Sequence, residues 1–306
     1  MKKNDMDQKK EFLKNFSRVF ITNLIALLLS IVLIIFGPKI LSIQGFGYWQ
    51  LYVLYAGYVS LFHFGIIDGI YLKIGGKIYQ DLDKGKLSGQ YYVVLIMQLI
   101  ISVIFIPIIL VNTAAEKTIV FILVIVSAII TNLRGVPLVI LQATNRMKHY
   151  SIANIVGSIT LLVGASLLFI FKIDNFVYLI IIEVFSRLVT LIIANHFCRD
   201  IIYLSFRKIE FSLKEASDSI KIGIKISLSY LAGLLVIGII RFGIEQKWGI
   251  EVFSKVSLSL AVINAVMIFM LSLSVVIFPV LKRMDTDRYA EIYKNFNTIL
   301  TVVLVL

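Results

Sequence analysis

Val19–Leu41 reads VFITNLIALLLSIVLIIFGPKIL, twenty-three residues whose single charge, Lys39, stands near the end. A helix rises about 1.5 Å per residue, so roughly 20 apolar residues cross the hydrocarbon of a bilayer. The run follows a basic segment with Lys2, Lys3, Lys9, Lys10, Lys14 and Arg18. It is longer than the apolar region of a cleavable signal and no A-x-A site follows it, so it is expected to remain as an anchor.

The pattern recurs. Further spans are expected at Tyr48–Ile67, Tyr91–Val111, Ile119–Thr144, Ser151–Phe171, Phe176–Phe197, Ile222–Ile240 and Val252–Phe278. A ninth run starts at Ile299 and stops at Leu306, too short to cross, which suggests a fragment. The runs are continuous, whereas barrel strands alternate over about ten residues. Helices also satisfy their own backbone in lipid. The fold expected is all-α and integral to the membrane, a multi-pass helical bundle. Composition agrees: of 306 residues 59% are hydrophobic and 16% charged, with mean hydropathy +0.94. A soluble chain of this size could not cover that much apolar surface.

Lysine and arginine set the orientation. They crowd the N-terminal segment and every second connection after it, ending with Lys282, Arg283, Arg288 and Lys294. The alternate connections hold only Lys39, Lys117, Lys172, Arg241 and Lys247. The basic side is the cytoplasmic one, so the N-terminus is expected inside, and the lysine- and isoleucine-rich composition suggests a bacterium and hence its plasma membrane. This placement explains the net charge of +12 without nucleic acid, since no basic stripe carries interleaved aromatics. Four parts follow: a basic N-terminus (1–18), a group of six spans (19–197), a cytoplasmic connection (198–221) and a further group of spans (222–306).

Enzyme chemistry finds no foothold: there is no nucleophile elbow, P-loop or H-E-x-x-H. No metal-ligand cluster or cofactor motif is apparent. The single cysteine, Cys198, forms no internal disulfide and reads as a small apolar filler.

Charges inside spans are costly and mark function most directly. Glu183 and Arg187 lie four apart on one helix face and are either a self-neutralising pair or part of a cavity. Arg134 has no acid within a turn. Ser127, Thr131, Arg134 and Gln142 recur at helical spacing, so this face should look into the bundle. Arg134 then needs Glu183 or an anionic ligand as partner. Arg241 and Glu245 form another i, i+4 pair near the outer boundary, where snorkelling to water is an alternative. Ser257, Ala261, Asn264 and Ser272 read as a helix-packing stripe. His63 and Asp68 sit about a turn apart at a span end, as a solvated cap or a proton-coupling site.

Several stretches resemble Wzx-type flippases, the polysaccharide branch of the multidrug/oligosaccharidyl-lipid/polysaccharide exporter superfamily. They are FGYWQLY (46–52), FGIIDGIYLK (64–73), LQATNR (141–146), RFGIE (241–245) and FPVLKR (278–283). The resemblance implies a two-lobe, MATE-like exporter fold, of which this chain supplies the N-terminal lobe and the opening of the second. It implies transport of undecaprenyl-pyrophosphate-linked repeat units from the inner to the outer leaflet, in O-antigen, capsule or lipopolysaccharide biosynthesis. The partners are then the lipid-linked oligosaccharide, membrane lipid and other assembly proteins. Arg134, Glu183, Arg187, Arg241 and Glu245 would line a cationic cavity worked by alternating access. The alternatives are a drug or cation exporter of the same superfamily, a membrane enzyme, or a truncated scaffold without transport activity.

Overall fold

The computed structural model describes the backbone of residues 2–112 and 114–281, with side chains from Lys14 to Ile263 except Phe16, Asn112, Thr113 and Phe206. The expected ninth run and the basic residues after Leu281 lie outside the described residues, as do the Asn264 and Ser272 side chains. The chain forms two compact units, 1–262 and 263–306. In the second the backbone is helical through Leu281. Everything below concerns the first.

The described residues contain helices and no strand. The long helices are α1 (Lys2–Ile40), α4 (Lys84–Asn112), α5 (Ala115–Ala143), α6 (Met147–Ile170) and α7 (Phe176–Phe197). Between the first two come α2 (Ile43–Tyr58), a 3₁₀ turn (Val59–His63) and α3 (Ile66–Ile74). After α7 follow a short α8 (Arg199–Ile202) and α9 (Leu213–Leu281), whose helical geometry is interrupted at Gly249. Six helices are long and apolar enough to cross a membrane, or seven if the bent pair α2–α3 is one span. This is a multi-pass membrane architecture.

The α7 boundaries are those the sequence implies, and α4, α5 and α6 each begin several residues before their expected starts. The second span requires correction. Tyr48–Ile67 is not one rod: the chain bends by 59° between α2 with its 3₁₀ turn and α3. Phe64 and Gly65 both take left-handed conformations, φ 49° and 86°. Helix resumes when the Gly69 amide donates to the Gly65 carbonyl at 2.8 Å. Gly65 is suited to this position twice over. Glycine adopts positive φ without strain, and a Cβ here would overlap the backbone of Gly223 and Ile224 on α9.

In lipid the apolar effect does not pull helices together, so close packing of small side chains and interhelical hydrogen bonds must. The α6–α7 contact follows this rule. It buries Ser151, Ala153 and Gly157 on α6 and Ser186, Thr190 and Ala194 on α7. Two apolar clusters stack along the bundle. One joins Leu51, Tyr52, Val59, Val120, Val124, Ile180 and Val184. The other joins Ile66, Ile70, Val94, Leu133, Val136, Ile140 and Leu191. In α2–α3, α5 and α7 the switch from one cluster to the other falls mid-span. Buried polar residues including Ser127, Asn132 and Ser186 lie at or within about a turn of this seam.

Candidate functional site in the mid-span polar layer

Three elements bring polar groups to the seam. On α2–α3 the cluster changes between Val59 and Ile66, across the helix break. On α5 it changes between Ala128 and Leu133, and on α7 between Val184 and Leu191. Thr131 and Asn132 of α5 and Arg187 of α7 therefore share one level, with Ser127 and Arg134 a turn or less away.

The α7 side is centred on Arg187. Its guanidinium pairs with Glu183 at 2.5 Å and donates to Ser127 at 3.0 Å and Thr131 at 2.9 Å. Tyr52 adds a bond to the Ser127 hydroxyl at 3.1 Å. The polar stripe of α5 thus faces the bundle, as its helical spacing implies. Half of it is consumed in satisfying Arg187. A buried charge left unpaired is strongly destabilising, and Glu183 with two hydroxyls removes that problem here.

Of the two partners expected for Arg134, Glu183 is taken: it bonds to Arg187, and the Arg134 guanidinium makes no ion pair or hydrogen bond among the described residues. It is half-buried, within Coulombic reach of Arg187, Glu183 and the Tyr150 and Tyr52 rings. A second cation beside an already paired one has little to hold it except water or an anion.

The helix break forms the other side, which the sequence did not disclose. A bend in the chain frees backbone carbonyls, and in lipid these must find donors. Asn132 Nδ2 donates to the Val59 carbonyl and to Gln98 Oε1, both at 2.9 Å. Gln98 Nε2 donates to the Phe62 carbonyl at 3.0 Å. Two neighbouring helices therefore hold the break open through their amides. Asn132 is 1% exposed, and its Oδ1 has no partner. Uncharged amides inside apolar runs were the only available signal for this network.

His63 and Asp68 flank the break without touching it as a pair. His63 is buried, and its Nδ1 accepts the Gly65 backbone N–H at 3.0 Å. The ring is a local cap of the turn and carries its proton on Nε2 when neutral. Asp68 sits in the first turn of α3, past the bend rather than on the same helix, and accepts from Ser227 of α9 at 2.6 Å.

Arg241 and Glu245 do not pair with each other. Glu245, 4% exposed, takes Lys117 at the start of α5. Arg241 donates to the Gln50 carbonyl and side chain and to Ser257 at 3.0 Å, and lies over the Phe253 ring. The two residues tie α9 to different helices, and neither joins the Arg134–Arg187 group. Ser257, read as packing, is instead a ligand of Arg241.

Cys198, at the end of α7, is fully buried and 3.8 Å from the Pro137 carbonyl. Burial pushes its thiol up to about 12. The apolar-filler reading holds.

No family model, curated protein or solved structure matches this chain. Function must therefore be argued from the polar layer itself.

Proposed function

We propose that this chain belongs to a flippase-type membrane transporter, and that Arg134 binds the pyrophosphate of a lipid-linked oligosaccharide during passage between leaflets. The observation carrying this reading is a half-buried mid-span arginine whose guanidinium has no partner among the described residues, next to an arginine that already has one. An anionic head supplies the missing counter-charge, because guanidinium and phosphate oxygens match in geometry as well as sign. The polyprenyl tail stays in lipid throughout. The helix break supports the same reading, since discontinuous helices near mid-membrane recur at transporter binding sites. The cytoplasmic N-terminus rests on the distribution of lysine and arginine, and the two-lobe exporter arrangement, the bacterial plasma membrane and the role in surface-polysaccharide assembly rest on the resemblance of the short motifs.

The test is export of surface polysaccharide in cells carrying Arg134→Ala or Arg134→Lys, at matched protein levels. Arg134→Ala should lose most export and Arg134→Lys should keep part of it. Wild-type export by both Arg134→Ala and Arg187→Ala would overturn the proposal. A change in resistance to cationic dyes with export intact would favour the cation-exporter alternative.

A further inference from the structure

A second cationic feature lies at the span ends, away from the mid-span layer. The α3–α4 connection, the α5–α6 turn and the α7–α8 junction meet around a cavity of about 860 Å³. Lys77, Lys84, Arg146 and Arg199 line it, with Asp200 as its single carboxylate. That carboxylate is already engaged, by Lys84 at 2.7 Å and by the Tyr79 hydroxyl at 2.6 Å. Burial works against its ionisation, but the Lys84 and Tyr79 hydrogen bonds outweigh this and hold it below the ordinary carboxylate range. Among the described residues the side chains of Lys77 and Arg199 make no hydrogen bond or ion pair, although their backbones do.

Arg146 is fixed in place. Its guanidinium lies 4.2 Å from the centre of the Tyr79 ring, and one nitrogen donates to the Phe197 carbonyl at 3.2 Å. It also lines an adjoining cavity of about 520 Å³, with Lys14, Arg18 and Lys148 and no carboxylate among the described residues. Ordinary charge bias at a membrane face does not explain this. The neighbouring cavity between α3, α4 and α9 shares Lys77, yet it nearly balances its four lysines with three carboxylates, Asp83, Glu215 and Asp218. Among the described residues the excess of positive charge is thus larger around Arg146 than in this neighbouring cavity.

We infer that the paired cavities around Arg146 form a binding site for a phosphate-ester anion, at the headgroup level of the spans that end there. Cations at Lys84, Arg146, Lys148 and Arg199 flank the ends of α4, α5, α6 and α7, where lipid phosphates lie. Planar, pre-positioned Arg146 supplies bidentate contacts, and Lys77 and Arg199 supply ammonium and guanidinium groups that no ion pair among the described residues holds. A bilayer phospholipid and a soluble phosphate share this chemistry.

The purified full chain in neutral maltoside detergent is titrated with short-chain phosphatidylglycerol, phosphatidylcholine or inorganic pyrophosphate, and its thermal midpoint is followed. A saturable rise with phosphatidylglycerol and none with phosphatidylcholine is expected, and identifies a lipid headgroup as the source. A rise with pyrophosphate alone also supports the site and identifies a soluble anion. Lys77→Gln/Arg199→Gln should require at least about tenfold more ligand, the scale of one charge-assisted hydrogen bond. The charge-conserving Lys77→Arg/Arg199→Lys should stay near wild type. Lys86→Gln/Lys221→Gln removes equal charge from the balanced cavity and should shift the titration less than twofold. Equal losses in the two Gln doubles, or no response to either anion, would overturn the inference. This outcome does not depend on transport.

Discussion

Asn132→Leu tests whether the helix break is held by its neighbours. Leucine keeps the volume and removes both donors. The Val59 carbonyl and Gln98 Oε1 then lose their 2.9 Å bonds. Interhelical hydrogen bonds in membranes contribute about 0.6 kcal/mol on average and up to about 1.7. A buried group left without any partner adds about 1–3 kcal/mol. Because lipid offers no substitute donor, the expected loss is about 2–3 kcal/mol. This corresponds to a fall of roughly 3–5 °C in melting temperature for a chain of this size. Thermal unfolding in mild detergent, read by fluorescence-detected size exclusion, measures it. Gln98→Leu alone should also destabilise, by stranding the Phe62 carbonyl. The double mutant should lose less than the sum, because the two residues share a bond. A melting temperature within 1 °C of wild type for Asn132→Leu, or strict additivity, would refute the clamp.

The remaining predictions concern charge. Arg187→Met leaves Glu183 buried and unpaired and should cost about 3–5 kcal/mol, while Glu183→Gln/Arg187→Met should recover most of it; the same melting assay decides. Asp200 is depressed in the fold, so its contribution is present above the ordinary value of 3.8 and is lost as pH falls through its lower folded value. Asp200→Asn should remove that acid limb from the stability–pH profile. Cys198, raised from 9.0 to about 12, should react with maleimide at pH 8 roughly a thousandfold more slowly than an ordinary thiol, until detergent denaturation exposes it.

The spans were legible because lipid imposes one rule, that about 20 apolar residues form a self-satisfied helix. The break was not. VSLFHFG (59–65) is nearly as apolar as a helix interior, and only Gly65 hinted at it. Ion pairing was legible only where it is local. Glu183–Arg187 forms at i, i+4, but Glu245 reaches past Arg241 to Lys117, 128 residues away. Spacing within one helix says nothing about the charges that other helices deliver. Gln98 and Asn132 escaped for a related reason. An uncharged amide in an apolar run becomes informative only once the carbonyl facing it is known.

The break changes what the second span is as a mechanical object. An ordinary helix resists bending through its own hydrogen-bond ladder. Between Val59 and Gly65 that ladder is interrupted, and side chains from α4 and α5 support the carbonyls instead. Stiffness at this point is borrowed. It belongs to the contacts among three helices, so a shift of α4 or α5 alters the hinge directly, while α2 and α3 each remain rigid. Beyond the hinge, α3 is fastened to α9 by Asp68–Ser227 and by Lys73–Glu215 at 3.1 Å. The span works as two levers on one pivot, with the pivot's friction set by two amide side chains.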